Sequence, residues 1–318
     1  MDVLVVGDAN PDLVLAGDTV PRFGQAEQLL DSADLVLGGS ASIMACGLAR
    51  LGVATGLAAV VGQDAFGDLV VDRVRGCGVD VAPVLRDPEH PTGLSVILLA
   101  AGEAASDRAI LTLLGTVPLL RAAHVREAVE THRPRHVHVA SYFLQPTLAG
   151  ELPTLLAWLR ARGTTVSLDT NWDPQERWAG LDEVLGLVDV FLPNEAEALA
   201  VARVLGARAD DPESAAAVLT AAGCRVVVKR GARGALSVGP DGGLGSVGPV
   251  VQVDAVQVQP VDSTGAGDSF DAGYVAALVS GVEDEAERLR WGVVAGALST
   301  RGTGGTASQA TRADLVPR

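Results

Sequence analysis

Short apolar runs that end in glycine alternate along this chain with segments whose apolar residues recur every three or four positions. The opening "DVLVVGD" is such a run, as expected of a strand buried on both faces. It leads into "SIMACGLARLG", where Ile43, Gly47, Leu48 and Leu51 fall at helical spacing and Gly52 closes the helix. "TGLAAVVG" then reads as one strand, and "DAFGDLVVDRVRGCG" as a helix with Phe66, Leu69, Val70, Val74 and Cys77 on one face. The rhythm continues as a helix over 119–131, strand "HVHVA", a helix over 148–162, strands "TTVSLD" and "DVFLP", helices over 195–205 and 212–222, and strand "RVVVK". Strand alternating with helix predicts an α/β domain around a mainly parallel sheet covered on both sides.

Two stretches interrupt that rhythm. Between residues 13 and 37, "LVLAGD" and "EQLLDSADLVL" read as extended segments joined by a Pro/Gly turn. Between 93 and 114, "LSVILLA" and "RAILTLL" flank the polar turn "AGEAASD". Two hairpin-like inserts predict a small separate sheet, placed as a lid over a site at the strand ends. The expected division is a main domain over 1–12, 38–92 and 115–318, with the β lid over 13–37 and 93–114.

Composition narrows the function. With 48% hydrophobic and 20% charged residues over 318 positions the chain has ample material for a core. A formal net charge of −15 argues against nucleic acid as a polymeric partner. Cys46, Cys77 and Cys224 have no Cys-x-x-Cys spacing, so neither a disulfide framework nor a cysteine zinc site is expected, and a reducing cytoplasm fits best. "LSVILLAAG" is too short to span a bilayer, and no membrane partner is expected. The two imidazoles of "HVH", His136 and His138, are expected to pack in the core rather than to bind metal.

The chemistry concentrates in "DSTGAGDSFDAGYVAALVSG". A Walker A loop is absent, because the chain's one lysine, Lys229, follows Val228 and not a glycine, and no Gly-x-Gly-x-x-Gly follows the first strand. Ala272, Val275, Ala276 and Val279 space as a helix face, so a helix is expected to begin near Asp268 with Gly265-Ala266-Gly267 as its approach. The first turn of a helix offers unpaired N–H groups and the positive end of its dipole, an anion site that needs no lysine. An aspartate there can take a proton from a hydroxyl that attacks a phosphoryl group held on the amides. The plainer reading is a Thr264 or Asp268 helix cap after a glycine turn.

"DSTGAGDSFDAGYVAAL" resembles the C-terminal signature of the PfkB, or ribokinase-like, family of carbohydrate and nucleoside kinases. The resemblance runs along nearly the whole chain. "GDANPD" resembles the first-strand motif with sugar-contacting residues, here Asn10 and Asp12, which as Asn-Pro-Asp also read as turn chemistry. "LGGSASIMACGLARLG" resembles the N-terminal signature with Gly38-Gly39 at its double glycine, and "VGQDAFGD" the segment after it. "LPNEAEA" is similar to an Asn-x-x-Glu element associated with magnesium, here Asn194 and Glu197, acting directly or through water; the same spacing is a capping box. "VVKRGARGAL" resembles the strand-turn-strand beside the nucleotide, bringing Lys229 and Gly231, although Lys229 and Arg230 also read as residues solvating an edge.

The resemblance implies a three-layer α/β/α ribokinase-like fold with a β-sheet lid, and an ATP-dependent, Mg2+-dependent kinase. It gives Asp268 the role of general base, and Gly265, Ala266 and Gly267 that of anion hole. Asn194, Lys229, Gly231, Thr264, Gly265 and Gly267 would meet the nucleotide. Asp262 and Thr264 match positions that hold a monovalent cation such as K+, and the lid would pair two subunits into a homodimer. Asn10, Asp12, Gly38, Gly39, Ser42 and Ile43 would surround the acceptor, and Arg108 in the second lid hairpin reads either as a residue that reaches a substrate oxygen or phosphate on closure or, more plainly, as a solvated lid residue.

The likeness departs at two places. Ile43 stands where sugar-phosphorylating members carry asparagine, so one side of the acceptor pocket should be less polar, with Ser42 the nearest compensation. In "SLDTNWDP" Asp173 occupies an arginine's place, and an acidic acceptor would there meet like charge. A primary hydroxyl of a neutral sugar is the expected acceptor. The alternatives are a nucleoside, for which Ile43 and "SYFLQP" supply an apolar wall, and a non-catalytic ligand-sensing relative.

Overall fold

A computed structural model describes residues 1–99, 108–242 and 245–315. The chain opens with β1 (Val3–Val6), the lid strands β2 (Asn10–Gly17) and β3 (Leu30–Gly38), and helix α1 (Ser40–Arg50). β4 (Thr55–Ala58), β5 (Val60–Gly62), α2 (Ala65–Gly76) and β6 (Leu85–Asp87) precede the second lid hairpin, β7 (Leu94–Leu99) and β8 (Arg108–Leu113). Then come α3 (Ala122–His132), β9 (His136–Val139), α4 (Pro146–Arg160), β10 (Thr165–Leu168) and β11 (Val190–Phe191). α5 (Glu195–Val204), α6 (Pro212–Thr220), β12 (Arg225–Lys229), β13 (Ala235–Val238) and β14 (Val251–Val253) lead to α7 (Ala266–Val279), α8 (Glu285–Ser299) and α9 (Arg312–Leu315).

The central sheet has the order β14-β13-β12-β11-β10-β9-β1-β4. β4, β1, β9, β10, β11 and β12 are parallel, and the β13 and β14 pairings are antiparallel. All four residues of β1 are buried, which is why it reads as a continuous apolar run. Leu4 and Val6 pack with α3, α4, α5 and α6 on one face, whereas Val3 and Val5 pack with α1, α2, α7 and α8 on the other. This is the three-layer architecture the alternation predicts. His136 and His138 are buried on β9 and bond to Thr165 and Ser167 hydroxyls at 2.7 to 2.9 Å, with burial pulling both imidazoles down to about 3.

Two local expectations are corrected. "TGLAAVVG" is two strands broken at Ala59, because β4 pairs with β1 while β5 turns away to pair with β6. Phe66 is exposed rather than part of the buried face of α2, which starts one residue later at Gly67, packed on the Gly62 carbonyl, and continues through Val70 and Val74.

The inserts form a separate four-stranded sheet of order β3-β2-β7-β8, with β2 parallel to β7 and antiparallel pairs at both edges. Side chains alternate across it. One cross-strand row, Val36, Asp12, Ser95 and Thr112, includes the residues turned toward the central sheet; the next, Leu35, Leu13, Val96 and Leu111, faces away. The predicted polar turn over 101–107 lies outside the described residues. Among the described residues no helix is long and apolar enough to cross a membrane.

Parallel strands deliver their carboxyl ends to one edge of the sheet. Asp8 follows β1, Ser141 follows β9, Asp169 and Asn171 follow β10, Asn194 follows β11, and Lys229 ends β12. The lid sits over this edge, the position at which open α/β sheets bind ligands.

Candidate active site

The loop before α7 is built around Asp262, which accepts the Thr264 N–H and the Gly304 N–H, each at 2.8 Å. Gly265 then caps α7 with a φ of 72°, and a Cβ there would lie 2.7 Å from the Gly305 Cα, so the position requires glycine. The helix begins at Ala266, two residues earlier than its apolar spacing predicts. The Ala266 N–H donates to the Ser263 carbonyl at 3.2 Å and closes the turn. Ala266 therefore leaves the predicted anion hole, and the amides without a protein partner among the described residues are those of Gly265, Gly267 and Asp268. They face a cavity of about 510 Å³ under the lid.

Asp268 lies in that cavity among charges from several elements. Burial, then the neighbouring Asp169 carboxylate, push its carboxyl up to about 7, against the opposing pull of Lys229. Glu197 and Asp12 are each raised to about 7, chiefly by burial, with Asp169 and Asp8 respectively adding repulsion. A cluster of carboxyls poised near neutrality, facing unpaired helix amides, is equipped to accept a proton and hold an anion at adjacent points.

Lys229 is not an edge residue. Its ammonium bonds Asp169 at 2.7 Å and Asp271 at 3.2 Å with only 12% of the side chain exposed. Burial works to lower its pKa, but Asp169, Asp271 and Glu197 outweigh that and keep it charged. Asp169 is held below its ordinary range because Lys229 overcomes the cost of burial, while burial and Asp169 drive Asp271 well above it. Burial and the Asp169 carboxylate thus favour the protonated form of Asp271.

The other predicted positions divide by where their side chains go. Asn10 and Asp12 start a lid strand and not a turn; the Asn10 amide donates to Asp12 Oδ1 at 3.1 Å. Gly38 leaves room for that carboxylate, since a Cβ would stand 2.0 Å from Asp12 Oδ1. Gly39, Ile43 and Gly231 line the cavity, and so does Arg108, which donates to the Thr264 hydroxyl at 3.0 Å. Ser42 does not line it: its hydroxyl donates into the Gly38 and Gly39 carbonyls, so it offers Ile43 no compensation. Asp173 is also turned away, accepting the N–H groups of Gln175, Arg177 and Trp178 at 2.8 Å each. The like-charge argument built on Asp173 therefore falls.

Asn194 and Glu197 form the capping box of α5, with reciprocal bonds of 2.9 and 2.8 Å. The Asn194 side-chain oxygen and Glu197 Oε2 are committed there, and Glu197, with Oε1 outside the box, lines the cavity. That set suits a magnesium ion reached through water, since Mg2+ keeps several waters and takes few protein oxygens. Among the described residues no group of three His, Cys, Asp or Glu side chains is placed to hold a metal.

Beyond Gly267 and Lys229 a second cavity of about 360 Å³ opens, walled by Ala255, Val256, Val258, Phe270, Val293 and Ala297. Its wall is mostly apolar, it shares Lys229, Gly231 and Gly267 with the first cavity, and its size and lining suit a heteroaromatic ring.

Asp8, Ser40, Asp169, Asn171 and Trp172 line the first cavity and were missed in the sequence. The signal was present for Asp8 and Asp169, each a carboxylate directly after an apolar strand run. Ser40 and Asn171 lie within "LGGSASIMACGLARLG" and "SLDTNWDP", but nothing in their residue types marks them as reaching a cavity.

The family profile described as pfkB family carbohydrate kinase matches residues 1–312. The chain is 26% identical to the ribokinase of Haemophilus influenzae over 98% of its own length and 96% of the relative's. It is 30% identical to the ATP-dependent ribose-1-phosphate kinase of Halopiger xanaduensis, covering 99% and 96% of the two chains. Its fold is similar to that of Arabidopsis thaliana ribokinase complexed with ribose and ATP, with a TM-score of 0.81, 24% identity, and 99% and 97% of the two chains covered.

Proposed function

The chain belongs to the PfkB family of carbohydrate kinases, ATP-dependent phosphotransferases with a hydroxyl acceptor, and from that premise we propose that it phosphorylates a primary hydroxyl of a neutral sugar in the cytoplasm, with Asp268 as general base. The observation that carries this reading is Asp268 beside the unpaired Gly265 and Gly267 amides, at the junction of the two cavities.

ATP would supply the γ-phosphoryl group; Glu197 and Asn194 are the residues that would hold magnesium through water, and the ion would supply screening of the phosphate charge. Asp268 takes the acceptor's hydroxyl proton as that oxygen bonds to phosphorus and the bond to the leaving ADP oxygen breaks. The Gly265, Gly267 and Asp268 amides hold the negative charge that develops, and Lys229, 3.5 Å from where a Gly267 Cβ would lie, adds a fixed cation beneath them. The mostly apolar second cavity receives the nucleotide base past Gly231. The inner face of the lid excludes water, so the phosphoryl passes to the acceptor and not to solvent. Asp262 and Thr264, the pair matched to a monovalent-cation site, receive three protein donors, the N–H groups of Thr264 and Gly304 and the Arg108 guanidinium.

Acceptor neutrality is supported by the cavity and not by Asp173. Among the described residues Asp8, Asp12, Asp169, Glu197 and Asp268 line it, against the two cations Arg108 and Lys229. Trp172, 48% exposed and stacked edge-on against Trp178, lines the cavity with Ile43 and Leu144 and favours a second reading, a nucleoside acceptor. ADP release with ribose, fructose, adenosine, pseudouridine, a sugar acid and a sugar phosphate separates these. Turnover is expected with a neutral sugar and at most about a hundredth of it with the charged acceptors. Turnover confined to nucleosides, or none with any ligand that raises the melting temperature, would remove the reading.

The outward row of the lid, Leu35, Leu13, Val96 and Leu111, with Leu111 59% exposed, supports a homodimer through this sheet. Leu111→Glu is expected to convert a dimer to a monomer in light scattering. A monomeric parent chain would rule the dimer out.

A further inference from the structure

We infer that Trp172 is the platform on which the acceptor lies, a specificity-determining residue that selects a ring with an apolar face, whether the carbon-bound hydrogens of a sugar ring or the flat of a nucleobase, over an open chain. This rests on the reading of the cavity under the lid as the acceptor site. Of the four tryptophans, Trp178 and Trp291 are buried, and Trp158 has the Arg126 and Arg162 guanidiniums over its ring. Trp172 is exposed, and it lines the same cavity as Asp268. An indole left in water beside a polar site gains when the apolar face of a ligand covers it.

The ring is held there by what fills the space behind it. Trp172 meets Trp178 edge to face, with centroids 5.0 Å apart and planes at 89°. Trp178 meets Phe143 in the same way at 5.4 Å, and Phe143 meets Tyr142 at 5.0 Å. This ladder ties the turn after β9 to the loop after β10 and leaves Trp172 as its exposed end. Asp173 shapes the loop by accepting the N–H groups of Gln175, Arg177 and Trp178. Glu176 and Trp178 both take left-handed backbone, φ 52° and 53°, although neither is glycine, and such conformations persist only where the surroundings hold them. The lid supplies the polar complement. The Asn10 amide donates to the Ser95 hydroxyl at 3.4 Å, which bonds the Thr112 hydroxyl at 3.2 Å, so a string of donors and acceptors crosses β2, β7 and β8. Leu144 extends the apolar wall beside Trp172, and Ile97 and Ile110 continue the lid face beyond the hydroxyls. A sugar ring carries hydroxyls at its edge and carbon-bound hydrogens on its faces, and can meet both linings at once. A linear polyol has no continuous apolar face and leaves the indole wet.

The test is equilibrium binding to the intact chain, which needs no turnover. The probes are ribose, fructose, adenosine and pseudouridine, taking forward whichever raises the melting temperature most, with open-chain ribitol and ATP as controls. In calorimetric titration Trp172→Ala is expected to weaken the ring acceptor about ten- to a hundredfold and to leave ribitol and ATP within about twofold. KM for the acceptor rises in step, while kcat stays within about threefold. Trp172→Phe keeps an aromatic face and so keeps the affinity within about threefold, but it loses most of the tryptophan quenching that the acceptor causes in the parent chain. Unchanged affinity of Trp172→Ala for the ring acceptor, or an equal loss with ribitol, would overturn the platform. A loss seen with a nucleoside that alone binds and turns over would remove the neutral-sugar reading and leave the platform standing. Sugar turnover with the parent KM in Trp172→Ala would do the reverse.

Discussion

Asp268→Asn is expected to lose about a hundred- to ten-thousandfold in kcat while its affinity for ATP stays within a few fold. The substitution keeps the shape of the first turn of α7 and the amides of Gly265 and Gly267, which do not depend on the side chain. What it removes is the group able to take the acceptor's proton, and general-base catalysis typically contributes about a hundred- to ten-thousandfold. Calorimetric titration with nucleotide and ADP release with acceptor would read the two halves apart. A variant of near-parental rate would contradict the role of Asp268. The pH profile supplies the matching signature. Because the ionised form is the base and its pKa is raised to about 7, kcat/KM should climb as pH rises through 7 and level off above 8. Asp12 and Glu197 are raised into the same range, so the limb reports the cluster and not one carboxyl.

The second large effect concerns stability. Lys229→Met should destabilise the fold by about 3–5 kcal/mol, because it strips the paired cation from an ionised carboxylate buried with it. In the parent chain Asp169 is held low, so its contribution to stability is present above its unfolded pKa and lost only as pH falls through its lower folded value. Without Lys229 the sign reverses. Burial then raises Asp169 above its unfolded pKa, and the folded state gains protons as pH falls. The loss in melting temperature should therefore be greater at pH 8 than at pH 5. An equal loss at both would mean that the ammonium is not what keeps Asp169 ionised. Catalysis should fall too, since Lys229 underlies Gly267.

The layers of this protein were legible because parallel strands buried on both faces leave unbroken apolar runs, and "VLVV" and "RVVVK" could hardly be anything else. The lid was legible as a break in that rhythm. What was not legible depends on partners distant in the chain. Nothing in "TGLAAVVG" shows that its second half will pair with β6. In "DTNWD" four polar residues follow a strand, and their types do not say which line the cavity: Asp169 and Asn171 do, whereas Asp173, beyond the left-handed turn at Asn171, is spent on backbone N–H groups. The residue types of "TGAGD" give an anion site, yet only the closed turn reveals that Ala266 spends its N–H on Ser263. Lys229 looked peripheral because Asp271, the acid that pairs with it beside Asp169, lies 42 positions further on.

That buried ion pair has a consequence for the chain's exterior. Lys229 is the one lysine among 318 residues, and every other basic side chain that could carry a fixed positive charge is an arginine. The surface therefore presents guanidinium groups but no lysine amine. Acetylation, ubiquitin transfer and glycation at lysine have no accessible target on the folded protein, and amine-directed crosslinkers will leave its surface side chains untouched. Labelling of Lys229 by such reagents would then report opening of the site itself.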